Sequence, residues 1–106
     1  MNISLVYITA KDVEKAREIG EKLVSERIAA CVNIFGGMSS IYRWENRLCH
    51  EQEAVLIAKT RTSMVKTLTR RVKELHSYSC PCIIAFQVNG GNRDFLAWIG
   101  KETGQH

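Results

Sequence analysis

IAACVNIFGGMSSIYRWENRLCHEQEAVLIAKT, residues 28–60, reads as two long strands folded back on each other about the tip Trp44-Glu45-Asn46-Arg47. Both arms have strong strand character, and Asn46 takes a left-handed turn conformation at small cost. Each arm runs roughly 14 to 16 residues, which at about 3.3 Å per residue reaches on the order of 50 Å. A compact chain of this length has a radius of gyration of about 13 Å, a sphere about 33 Å across. The arms therefore overrun their own domain. Their outer halves leave Ile41, Tyr42, Arg43 and Trp44 uncovered unless another copy of the chain packs there, so the hairpin predicts an oligomer with these residues in its interface.

Gly36-Gly37 marks a bulge or bend that splits the first arm into a core half and an outer half. In the core half Cys31, Asn33 and Phe35 share one face and Ala30, Val32 and Ile34 the other. On the returning arm Ala54 to Ala58 is apolar throughout and belongs mid-sheet, whereas His50 to Glu53 is polar. Ahead of the hairpin, Ile3 to Ile8 suits a central strand buried on both faces. Thr9 or Asp12 then caps a helix whose Val13, Ala16, Ile19, Gly20, Leu23 and Val24 repeat at helical spacing. Beyond the hairpin, Thr62 or Ser63 caps a second helix with a buried stripe of Met64, Val65, Leu68, Val72 and Leu75, ending near His76. Pro81 opens a strand over Cys82 to Val88, and Asn92 caps a last helix carrying Phe95, Leu96, Trp98 and Ile99. The order is strand, helix, strand, strand, helix, strand, helix. It predicts one α+β domain over 1–106, a ferredoxin-like βαββαβ unit with an extra C-terminal helix.

The 106 residues are 45% hydrophobic and 25% charged, an ordinary globular balance. The net charge of +4 is spread along the chain with acids among the bases, which reads as solvated surface and not as a nucleic-acid footprint. The strand matching the base-stacking strand of RNA-recognition modules, Ala54 to Lys59, carries no aromatic residue. The apolar start breaks by Lys11, too early for a signal peptide or membrane span, so the expectation is a cytoplasmic protein with four free thiols and no membrane partner.

Those cysteines are the chemistry-bearing residues. Cys49-His50, Cys80-Pro81-Cys82, Cys31 and His76 are thiol and imidazole donors, which suit copper or zinc better than magnesium or calcium. The spacing matches no zinc-finger pattern, and Cys31, Cys80 and Cys82 read more readily as strand packing than as ligands. A nucleophilic Cys31 or Cys49 lacks a glycine-rich oxyanion loop after it, so an enzyme is disfavoured. Tyr42, Trp44 and Trp98 are readable as a stacking platform or as interface and core.

Ala30-Cys31-Val32-Asn33-Ile34, Ser40-Ile41-Tyr42-Arg43-Trp44-Glu45, Glu53 ahead of Lys59-Thr60, and Trp98-Ile99 together resemble the CutA family of divalent-ion tolerance proteins. The resemblance spans nearly the whole chain and implies a cytoplasmic homotrimer of PII-like architecture, with clefts between subunits that take copper or another divalent metal ion. It carries over His76, Tyr78, Cys31 and Glu53. The family run His-Pro-Tyr-Glu-x-Pro stands here as His76-Ser77-Tyr78-Ser79-Cys80-Pro81, so Ser79 replaces a carboxylate and Cys80 and Cys82 offer softer donors. The expected metal ligands are therefore Cys31, His76, Cys80, Cys82 and Glu53. The alternative is a sensor of a small organic ligand or anion in the same clefts, using Lys59, Tyr78 and Trp98. A purely structural assembly partner is the third class.

Overall fold

The computed structural model describes residues 2–104. Its elements are β1 (Ile3–Ala10), α1 (Val13–Ser25), β2 (Cys31–Trp44), β3 (Arg47–Arg61), a single 3₁₀ turn (Thr62–Met64), α2 (Val65–Leu75), β4 (Ile83–Gln87) and α3 (Arg93–Glu102). The four strands form one antiparallel sheet in the order β2-β3-β1-β4. Val6, Ile8 and Ala10 of β1 and Ala54, Leu56 and Ala58 of β3 point to one face. There they meet Ala16, Ile19 and Leu23 of α1 and Leu68 and Val72 of α2 in a fully buried core. The ferredoxin-like arrangement with an added helix is thus the fold, and the helical periodicities identify the faces that are buried.

Local chemistry sets most of the boundaries. The Asp12 carboxylate accepts from the Lys15 N–H at 2.8 Å and starts α1, and the Asn92 amide oxygen accepts from the Asp94 N–H at 2.9 Å and starts α3. Gly20 lets α1 lie directly on the sheet, since a Cβ there would stand 2.9 Å from Val32 Cγ2. α2 departs from expectation. Neither Thr62 nor Ser63 caps it through a side chain, because both lie in the 3₁₀ turn that leads in, and the Thr62 hydroxyl is hydrogen-bonded to the Ser4 hydroxyl at 2.8 Å. Arg71 instead braces α2, holding both carboxylate oxygens of Glu26 in a fork at 2.8 and 2.9 Å.

The hairpin arms are 14 and 15 residues long. Glu45 and Asn46 both have positive φ, 50° and 65°, the conformation of the two-residue turn whose twist matches the strands. Only the Asn46 half of that turn is signalled by residue type. At the other end Phe35 pairs with Val55 but Met38 pairs with Glu53, so β2 holds one residue more than β3 across this step, with Gly37 at φ 69°. The molecule measures 44 × 25 × 22 Å, and its radius of gyration is 14.2 Å, above the figure of about 13 Å for a compact chain of this length. That long axis falls a little short of the on-the-order-of-50 Å reach of a straight arm.

β1 is central as expected, yet its second face is only partly covered. α3 closes one end of that face, where Ile99 packs with Ile3 and Ala30. The remainder stays open, with Phe35, Ile84 and Phe86 each at least half exposed.

Candidate functional site

The bulge determines what faces the open side of the sheet. Side chains alternate along a strand, so an extra residue between Phe35 and Met38 changes which parity points where. Met38, Ser40, Tyr42 and Trp44 pair with Glu53, Glu51, Cys49 and Arg47 and share the face of Cys31, Asn33 and Phe35. A regular strand through Gly36-Gly37 would have turned Ile41 and Arg43 to that side. The expected interface quartet is accordingly split between two faces, with Ile41 the most exposed of its three hydrophobic members at 67%.

Where the outer hairpin meets the sheet, this face forms a cleft of about 690 Å³. Its walls include Tyr7 of β1, Tyr42 and Trp44 of β2, Glu51 and Glu53 of β3, and Tyr78 from the segment before β4. Ser79, Cys80 and Cys82 continue the Tyr78 wall, and among the described residues no Lys, Arg or His lines the cleft. Glu53 is only 9% exposed, and its Oε2 accepts the Tyr78 hydroxyl at 2.9 Å. Among the described residues no ion pair involves Glu51 or Glu53.

Electrostatics follow from that arrangement. Burial, then the hydrogen bond to Glu53 and its charge, pushes the Tyr78 phenol far above its ordinary value, so Tyr78 remains a proton donor to Glu53. Burial raises the Cys82 thiol too, with a smaller push from Glu53 and an opposing hydrogen bond from Thr9. Tyr42 is raised by lost solvation and then by the charge of Glu51.

His76 lies directly behind Tyr78, with ring centroids 4.7 Å apart. Its Nδ1 accepts the Tyr78 backbone N–H at 3.0 Å, which leaves the ring proton on Nε2, and Nε2 donates to the Thr9 carbonyl at 2.6 Å. Both ring nitrogens are engaged. His76 positions Tyr78, and to bind a metal it would have to give up one of these bonds.

The remaining candidates lie elsewhere. Cys31 is paired with Lys59, whose Nζ is 3.5 Å from Cys31 Sγ and also donates to the Asn33 side-chain oxygen. That cluster is six residues along β3 from Glu53, about 20 Å away. Trp98 sits on α3 against Phe95, ring centroids 5.5 Å apart, and does not line the cleft. Of the expected metal ligands the fold thus gathers Glu53, Cys80 and Cys82 at one cleft and leaves Cys31 and His76 outside it. Among the described residues no three His, Cys, Asp or Glu side chains converge to hold a metal ion. Tyr7, Met38 and Glu51 are cleft residues that sequence reasoning missed; counting strand parity across the glycine bulge finds Met38, and strand register places Tyr7 and Glu51.

A model of the CutA1 divalent ion tolerance protein family matches residues 4–102. The divalent-cation tolerance protein CutA of Thermus thermophilus is 46% identical over 94% of this chain and 97% of its own length. Its solved structure superposes with a TM-score of 0.94 over 96% of this chain and 99% of that one. The solved CutA1 of Oryza sativa gives 0.96 at 37% identity, covering 100% and 97% of the two chains. The rice protein named CutA 1, chloroplastic, is 39% identical over 93% of this chain, which spans 56% of that relative's length. A cleft on the open sheet face of a ferredoxin-like unit, a bulged long hairpin and these similarities over nearly the full chain lead to one conclusion: the chain belongs to the CutA1 divalent ion tolerance protein family.

Proposed function

We propose that this protein is a homotrimeric, non-enzymatic binder of divalent metal ions, copper foremost, that works in the cytoplasm with a PII-like signalling architecture. The observation that carries the reading is Glu53, a carboxylate nine-tenths buried in a cleft that two thiols also line and that no cation lines among the described residues. A buried anion without a cationic partner is costly, and a bound cation offsets that cost. Thiols beside a carboxylate favour a borderline or soft ion over magnesium or calcium. One chain supplies too few converging donors to close a coordination sphere. The open sheet face and the protruding hairpin support a neighbouring copy that would supply the rest. All four cysteines are free thiols, as a reducing compartment would keep them.

The test is copper titration of the reduced protein beside its three-chain mass by light scattering. Glu53→Gln and the pair Cys80→Ser with Cys82→Ser are each expected to weaken binding by roughly tenfold or more. Unchanged affinity in both variants would remove the cleft from consideration as the metal site.

A further inference from the structure

The cleft holds more than a metal ion uses. Much of its lining is electron-rich, with two carboxylates, the rings of Tyr7, Tyr42, Trp44 and Tyr78, and the Met38 thioether, and among the described residues no cation joins them. Two hydroxyls are already committed, Tyr78 to Glu53 at 2.9 Å and Tyr7 to the Met38 sulfur at 3.5 Å. What these two tyrosines retain for a ligand is ring surface and oxygen lone pairs, both of which attract positive charge. Glu53 Oε1 has no hydrogen-bond partner among the described residues, and Glu53 is only 9% exposed.

Aromatic walls are of little use to a divalent ion, which needs a close shell of lone-pair donors. They do suit an alkylammonium group, whose diffuse charge is attracted to ring faces and whose methyl groups bury against them. An anion would meet two carboxylates here, with no cation among the described lining residues to offset them. The volume, about 690 Å³, is that of a small-molecule site. We infer that the cleft binds a small organic ammonium ion, its charge held by Glu53 and enclosed by Tyr7, Tyr42, Trp44 and Tyr78. This goes beyond metal binding and makes the two ligands competitors for Glu53.

The experiment uses choline chloride as the probe, on the full chain in the assembly it adopts. Trp98→Phe leaves Trp44 as the only tryptophan, so fluorescence reports on the cleft alone. Choline is expected to change that signal saturably at constant ionic strength. The uncharged dimethylbutanol of the same shape should bind roughly tenfold more weakly, and Glu53→Gln should weaken choline by a similar factor. Sodium benzoate should not bind. Equal binding of choline and the uncharged alcohol, no saturable choline signal up to tens of millimolar, or an unchanged titration in Glu53→Gln would each overturn the inference. Should circular dichroism show Glu53→Gln unfolded, Trp44→Leu decides by saturation-transfer NMR on choline: lost binding supports the inference, retained binding sinks it. Copper binding without choline binding overturns this inference alone, and choline binding without copper binding overturns the metal reading alone.

Discussion

Tyr78 is fixed from three sides: its hydroxyl by Glu53, its N–H by His76 Nδ1, and its ring by the His76 imidazole. Its phenol is shifted upward from an ordinary value of 10.0, so the folded state favours the protonated form. That contribution to stability is complete below pH 10.0 and is lost as pH rises toward the folded-state value. Tyr78→Phe should lower stability by about 1 kcal/mol at neutral pH, where the hydrogen bond is intact. It should also flatten the alkaline decline, so thermal melts of the two proteins converge as pH climbs past 10.0. Parallel curves would show that the Tyr78 hydroxyl does not titrate with folding. Cys82 gives the companion result. Its thiol is raised, so a metal bound there displaces a proton, and affinity should fall by about tenfold for each pH unit lowered. Titrations at several pH values measure that slope, and a flat profile would exclude Cys82 as a ligand.

At the scale of elements, the bulge carries more information than either strand. Gly37 sits at φ 69°, where a β-branched residue is strained, so Gly37→Val should cost about 2 kcal/mol and move the denaturation midpoint accordingly. Because the same residue sets the parity of the outer arm, the variant that does fold should also show altered Trp44 fluorescence. An unshifted midpoint with unchanged emission would mean the hairpin does not depend on this turn of backbone. The elements themselves were legible because their signals are local: alternation, helical spacing, Asp12 and Asn92 as caps, and paired glycines as a bend. The capped start expected for α2 failed because Thr62 finds a better partner in Ser4, 58 residues away. The site was less legible for the same reason. Tyr7 and Glu51 reach the cleft through strand register, His76 loses its free nitrogen to a carbonyl 67 residues distant, and Cys31 lies several residue pairs down the sheet from Glu53. Residue type identified donors, and only long-range pairing decided which of them meet.

At the scale of the molecule, two different surfaces want covering. One is the sheet face with Phe35, Ile84 and Phe86; the other is the outer hairpin with Ile41, Tyr42, Trp44 and Leu48. If the hairpin of one copy lies on the sheet face of the next without the reciprocal contact, the arrangement is head-to-tail, and such contacts form a ring when the rotation between copies closes. A ring has a specific failure pattern. A face-defective chain, Ile84→Glu with Phe86→Glu, and a hairpin-defective chain, Ile41→Asp with Trp44→Asp, should each run as a lone chain in light scattering. Mixed, they retain one sound hairpin and one sound face between them, enough for a single junction but not for closure. The mixture should therefore run at a two-chain mass, while the parent protein runs at three and melts at a temperature that rises with concentration. A two-fold interface is told apart by the parent, which then runs at two chains because each copy's hairpin and face are both spent on the same neighbour.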